Sequence, residues 1–161
     1  MKVALIENLG MELYNARMSY AEYLQSQGCE VVAIIPDEEF AERIENAGIR
    51  VLILNMNIRL PGVKRYYQYW KALHTIFKTE QFDVAHFFKM PPNLVGTSAA
   101  YFANKKITLV NHITGIGSAF VEKSFKFFII RNIIRSIFFI NAHFFNTKLI
   151  YQNSGNRLTI G

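Results

Sequence analysis

The stretch from Lys2 to Pro36, "KVALIENLGMELYNARMSYAEYLQSQGCEVVAIIP", holds two short apolar runs separated by a segment of helical period. "KVALI" (2–6) and "EVVAII" (30–35) are almost continuously apolar, the pattern of strands buried on both faces. Residues 11–27 between them read as a helix, and Gly28 stands where a C-terminal cap belongs. Strand, helix and second buried strand in that order make a βαβ unit with parallel strands and a right-handed crossover.

The alternation continues outward. "RVLIL" (50–54), "DVAHFF" (83–88), "ITLVNH" (107–112) and "LIYQ" (149–152) are further strand candidates, again nearly continuous in apolar residues. Helices are expected at 37–47, opened by Pro36-Asp37 and closed by Gly48, and at 63–80, 93–104 and 124–146. The fold expected is α/β: a Rossmann-like, doubly wound parallel sheet of six strands with helices on both faces. No internal repeat, low-complexity tract or linker interrupts it, so residues 1–161 are expected to form a single domain.

Composition agrees with a packed globular domain: 161 residues, 51% hydrophobic and 19% charged. A single cysteine, Cys29, excludes a disulfide framework and fits a reducing compartment, and neither a metal site nor a cofactor is expected. The apolar run at Val3–Ile6 is too short for a signal-peptide core, so the mature chain is expected to start at Met1. A formal charge of +6 beside 14 Phe and 8 Tyr suits an anionic ligand, a membrane surface or nucleic acid. Nucleic acid is disfavoured, because the basic residues are interspersed with long apolar runs and form no compact recognition motif.

In such sheets ligands bind outside the carboxyl ends of the strands. The loops that matter are therefore "ENLGMELYNAR", "NIRLPG", "KMPPN" and "ITGIGSAF", after strands one, three, four and five. The last puts Gly115, Gly117 and the hydroxyls of Thr114 and Ser118 where backbone N–H groups can face an anion. As a dinucleotide fingerprint it is weak: its third position is Phe120, and a true fingerprint would follow strand one, where only Gly10 stands. Lys89 and Asn93 flank Pro91-Pro92 at a helix start, a placement that suits a phosphate or a sugar hydroxyl, or equally a solvated lysine and a capping asparagine. His86 inside "DVAHFF" reads as a core histidine or a ligand.

The succession of "KVALI", "NARMSYAEYLQSQGCEVVAIIP", "IRLPGVKRYYQYWKALHTIFKTEQFDVAHFFKMPPNLVGTSAAYFA" and "NHITGIGSAF" resembles the N-terminal half of a family 4 glycosyltransferase. The likeness is to bacterial members that elongate sugars on polyprenyl-diphosphate carriers and extends to about Asn153. It implies one half of a GT-B fold, in which a second, C-terminal domain absent from this chain supplies most of the sugar-nucleotide site. The chain would then be a truncated piece, or a half whose partner is another chain.

The resemblance also implies roles. Arg17 in the first helix and Arg59 after strand three fall where family members often carry an arginine, consistent with bidentate grip on an anionic acceptor. The competing readings are a structural salt bridge for Arg17 and an exposed arginine for Arg59. Many members place a histidine directly before the glycine of the fifth loop; here that slot is Thr114, and His112 lies two residues earlier on the same side of an extended segment. His112 and Thr114 are thus the catalytic candidates, and Gly10, Arg17, Arg59, Lys89, Asn93, Gly115, Gly117 and Ser118 the substrate-binding ones.

Two segments have bilayer-surface chemistry. "VKRYYQYWKALHTIFK" mixes Lys64, Arg65, Lys71 and Lys78 with Tyr66, Tyr67, Tyr69 and Trp70, and "KSFKFFIIRNIIRSIFFINAHFF" is more apolar but broken by Lys126, Arg131 and Arg135. The first is expected to hold the protein on anionic lipid, the second to lie along the surface or pack on the sheet; the alternative is that both apolar faces are core. The functional expectation is the acceptor-binding domain of a retaining enzyme that moves a hexosyl or N-acetylhexosaminyl unit from a nucleotide sugar to a lipid-linked or glycan acceptor. It would work in the cytoplasm, peripherally on the membrane, and the fragment alone would be inactive. The other class in view is a stand-alone Rossmann-like module that binds a nucleotide or a membrane without chemistry.

Overall fold

The computed structural model describes residues 1–55, 62–115, 120, 122 and 124–160. Six strands, β1 (Lys2–Ile6), β2 (Glu30–Ile35), β3 (Arg50–Ile53), β4 (Val84–Phe88), β5 (Thr108–Ile113) and β6 (Lys148–Tyr151), form one sheet in the order β3-β2-β1-β4-β5-β6. Every neighbouring pair is parallel. This is the expected doubly wound arrangement, and it puts the topological switch point between β1 and β4.

The helices are α1 (Gly10–Ser26), α2 (Ala41–Asn46), α3 (Gly62–Thr79), α4 (Thr97–Ala103), α5 (Phe125–Phe144) and α6 (Ser154–Ile160). A π-helical turn, Pro92–Gly96, leads into α4. Gly28 and Gly48 adopt φ of +78° and +85° after α1 and α2, the left-handed conformation expected of them as caps. The second helix is shorter than expected and begins at Ala41 rather than at Pro36-Asp37, because the Asp37 carboxylate bonds the N-terminus of α1 instead. Helix α6 was not foreseen, since "SGNRLTI" has no apolar periodicity.

Side-chain parity sorts the core onto two faces. Val3, Leu5, Val31, Ala33 and Ile35 pack under Leu13 and Ala21 of α1 and Ile44 of α2. Ala4, Ile6, Val32, Ile34, Ala85, Phe87 and Leu109 pack under Tyr69, Leu73 and Phe77 of α3 and Ala99 and Ala100 of α4. A third cluster joins Ile113 to Ile134 and Phe138 of α5, with Leu149 and Tyr151 against it.

The expectation that all strands are buried on both faces needs correction. β2 is buried at five consecutive positions, but β5 alternates: Leu109, Asn111 and Ile113 are buried, Val110 and His112 half-exposed. In β6, Lys148 and Ile150 are exposed on the side away from α5. Among the described residues no helix covers that face of β5 and β6.

Helix α3 also differs from expectation. Tyr69, Leu73 and Phe77 face the core, and half-buried Trp70 donates its indole N–H to Ser98 Oγ at 3.1 Å. The core reading therefore holds for Trp70, while Lys64, Arg65 and Lys71 remain exposed.

Candidate functional site

Because all strands run one way, the segments after β1, β4 and β5 emerge at a single edge, where Gly10 and Gly115 both lie. Gly10 opens α1 and is buried. A Cβ there would meet Asp37 Oδ1 at 2.7 Å, Ile35 Cδ1 at 3.0 Å and Phe40 Cβ at 3.1 Å, so a side chain would displace the Asp37 carboxylate and crowd Phe40. Its N–H donates to Asp37 Oδ2 at 2.7 Å, which occupies the amide a ligand would have used. Gly115 is exposed with open space around it, whereas Arg59, Gly117 and Ser118 lie outside the described residues.

On the α1 side of the switch point, four expected residues share one neighbourhood. The Arg17 guanidinium lies 4.5 Å over the ring of Phe88, and that ring lies 5.4 Å from His112. Arg17 also approaches Glu7, with Nε 3.5 Å from Oε2. Lys89 follows Phe88 in the left-handed conformation, φ 66°, unusual for a residue with a side chain, and its Nζ lies 3.3 Å from Glu12 Oε2. Thr114 continues the parity of His112 two residues on.

The polar atoms here are poorly satisfied. Among the described residues, Glu7 Oε2, Arg17 Nε, His112 Nδ1 and Thr114 Oγ1 are buried without a hydrogen-bond partner. Buried polar groups are nearly always bonded, so a cluster of exceptions at a sheet edge makes this the candidate site.

Electrostatics follow burial. Removal from water raises the Glu7 carboxyl above its ordinary value, against the opposing pull of the Asn8 N–H, Arg17 and Lys89. Burial first, then Arg17, lowers His112. His86 is pushed down to about 3 by burial and by the neighbouring positive groups His112 and Arg17. It stacks on His112 at 5.6 Å and on Phe88 at 4.2 Å, and its Nδ1 is 3.2 Å from the Tyr20 hydroxyl. His86 is thus a neutral core histidine in the wall of the site, as one of its two readings held.

Asn93 is placed inside the protein, not on the crevice. It is 0% exposed, and its Nδ2 donates to the His112 carbonyl at 2.9 Å. Side chains converge on the Asn93 carbonyl: Asn141 Nδ2 donates to it at 3.0 Å, and Thr97 Oγ1 lies 3.2 Å from it. The single Thr97 hydroxyl proton has a closer acceptor in Asn111 Oδ1, at 2.8 Å. Asn93 therefore ties β5 and α5 to the turn, and so holds the backbone of His112 in place.

On the α3 side, Asn8, Asp37, Arg65, Tyr66 and Tyr69 line a cavity of about 270 Å³ between the ends of β1, β2 and β4. Sequence reasoning missed Glu7, Glu12 and Tyr20. A glutamate directly ending the run "VALI" was the available signal for Glu7. Among the described residues no group of His, Cys, Asp or Glu is placed to hold a metal ion.

Residues 2–154 match the family described as glycosyl transferase 4-like. The chain is 22% identical over 158 residues to the N,N'-diacetylbacillosaminyl-diphospho-undecaprenol alpha-1,3-N-acetylgalactosaminyltransferase of Campylobacter jejuni; the match covers 97% of this chain and 41% of that protein. The chain thus spans about two fifths of that relative's length. Among solved structures, a Rickettsia africae glycosyltransferase superposes with a TM-score of 0.59 at 13% identity, over 93% of this chain and 42% of that one. Anabaena HepE, solved in complex with UDP and glucose, gives 0.53 at 16% identity, over 95% and 44%. At these identities the structural likeness establishes the fold.

Proposed function

Since the chain belongs to the glycosyl transferase 4-like family, we propose that it forms the acceptor-side domain of a glycosyltransferase that extends a lipid-linked or polymeric glycan. The observation that carries this reading is the approach of Arg17, Lys89 and His112 at the switch point, with Arg17 Nε and His112 Nδ1 buried and unbonded among the described residues and Thr114 Oγ1, likewise unbonded, two residues beyond His112. Arg17 and Lys89 are each held by a carboxylate in the free protein, so both are pre-placed for an anionic group such as an acceptor phosphate. His112 Nδ1 and Thr114 Oγ1 then face the sugar hydroxyl that reacts.

The donor is a nucleotide sugar carrying a hexosyl or N-acetylhexosaminyl unit, bound chiefly by a further domain, and transfer proceeds with retention. This chain contributes orientation of the nucleophilic hydroxyl and a cationic environment for developing negative charge. The undecaprenol-linked substrate named for the Campylobacter relative supports a lipid-borne acceptor.

The membrane surface is α5 rather than α3. Phe125, Phe128, Ile129, Ile133, Phe139, Ile140 and Phe144 are all at least 41% exposed, on the side opposite the buried Ile134, Phe138 and Asn141. Lys126 on one flank and Arg131 and Arg135 on the other border this stripe, and the helix has no acidic residue. By length and composition α5 could cross a bilayer. Its packing on the sheet and the Asn141 bond dock it as part of the domain, so it lies along the surface.

The test is to incubate the full-length protein with a panel of UDP- and GDP-sugars and a polyprenyl-diphosphate-linked monosaccharide, then read the lipid product by mass and the anomer by NMR. A product one sugar longer with retained configuration is expected. Lys89→Ala, His112→Ala and Thr114→Ala should each lower turnover with little change in melting temperature. Hydrolysis of donor without transfer to any acceptor would sink the reading.

A further inference from the structure

Glu7 is expensive to keep where it is. It follows β1 at the switch point, 0% exposed, and among the described residues the one hydrogen bond to its carboxylate is the 3.2 Å one that Oε1 accepts from the Asn8 N–H. Oε2 has none, and the nearest cationic atom, Arg17 Nε at 3.5 Å, is itself buried without a partner among the described residues. Charged and titratable groups reach it from every side: Arg17 and Glu12 from α1, Lys89 from the end of β4 and Tyr69 from α3. Despite two nearby cations, burial keeps the carboxyl above its ordinary value, so the ionised form costs stability. A packing role would be served more cheaply by a neutral side chain of the same shape.

Arg17 shows what the acid accomplishes. Its guanidinium carbon lies 4.5 Å over the Phe88 ring, only 16% of the side chain is exposed, and one Nη makes just a long 3.4 Å contact to the carbonyl of Ala16. Among the described residues no other hydrogen bond holds it there, while a free arginine on a helix surface would extend into water.

We propose that Glu7 is the positioning residue of this site: its carboxylate pins the Arg17 guanidinium on Phe88, leaves the Nη groups for an anionic oxygen of the acceptor, and closes onto Nε when that anion binds. Long hydrogen bonds that tighten in the loaded complex are common in unliganded sites. The inference rests on the proposed glycosyl transfer for the identity of the anion, not for the pairing itself.

Full-length wild type, Glu7→Gln, Arg17→Lys and the double variant decide it, by acceptor KM, donor KM, kcat and melting temperature against pH. Glu7→Gln should raise acceptor KM at least tenfold, leave donor KM unchanged, and melt no lower than wild type at neutral pH. An acid raised in the folded state takes up its proton more readily there than when unfolded. Wild-type stability should therefore fall relative to Glu7→Gln as pH rises above the ordinary value of 4.5, and the gap should close below it. The double variant should lose no more than the worse single one. A lower melting temperature with unchanged KM, or losses that multiply in the double variant, would overturn the proposal. Should wild type transfer no sugar, the proposed function fails and titration with inorganic diphosphate decides the pairing. At least tenfold weaker binding in both Glu7→Gln and Arg17→Lys upholds it; equal binding in all three overturns it.

Discussion

β2 and β6 are parallel strands of one sheet, and both are short apolar runs in the sequence, yet they live in different surroundings. β2 has a strand on each side and helices on both faces, and five of its six residues are buried. β6 is an edge strand with α5 on one face, and its residues alternate between half-buried and exposed. The helices differ in the same sense. The exposed surface of α1 mixes Asn15, Ser19 and Glu22 with Met11, Tyr20 and Tyr23, whereas that of α5 is mostly phenylalanine and isoleucine. One half of the sheet is finished as a soluble protein would be; the other retains apolar surface on both sides. Contiguous apolar surface of that kind marks a place of interaction, and here it adjoins the edge of the proposed site.

The strongest way to break the contrast is to cut the polar tie that holds the β5–α5 half together. Asn93→Ala removes the donor to the His112 carbonyl and opens a void beside buried Thr97, Asn111 and Asn141. We expect a loss of about 3 kcal/mol, or roughly 6 to 12 °C in melting temperature, against under about 0.5 kcal/mol for exposed Asn46→Ala in α2. Equal effects at the two asparagines would erase the distinction.

Acid sharpens it next. His86 is held neutral with its pKa near 3, below the ordinary 6.5, so the stability it contributes is complete above 6.5 and is lost as pH falls. Between pH 7 and pH 5 the urea-unfolding free energy should drop by about 2 kcal/mol, and His86→Phe should flatten that slope. A wild type insensitive to acid would mean that His86 binds its proton as readily folded as unfolded.

The smallest effect belongs to the membrane. Lys126→Gln should weaken binding to phosphatidylglycerol vesicles by about 1 kcal/mol, or roughly fivefold, at low salt and less at high salt. Trp70→Ala should leave vesicle binding intact and lower the melting temperature, because its indole bonds Ser98. The opposite pair of results would return the membrane role to α3.

Hydrophobic periodicity was enough to read the order of strands and helices, since each buried run reports its own length and polarity. It could not tell β2 from β6, because a run of apolar residues says nothing of how many helices are available to cover it. Arg17, Lys89, His112 and Thr114 were legible as candidates because the ends of parallel strands are few. Glu7 was not: its significance lies in what surrounds it, and β1, α1, β4 and α3 all contribute to that environment. Asn93 was misplaced for a related reason. An asparagine at a helix start reads as a cap or a ligand group, and only the fold brings the Asn141 amide of α5 to its carbonyl.

That carbonyl has a consequence for how the protein is made. Asn141 lies 48 residues downstream of the group it must reach. At the ribosome's pace of about 5 to 20 residues per second, roughly 2 to 10 s separate the emergence of the two. During that interval β1, β2 and β3 can already pair under α1 and α2, whereas β4 and its following turn wait for the Asn141 amide, with only Thr97 and water at hand. The chain therefore has a birth order written into it, with a self-sufficient first half and a second half that stays open until α5 arrives. A chaperone or the bilayer itself would find its most apolar helix in reach during that delay.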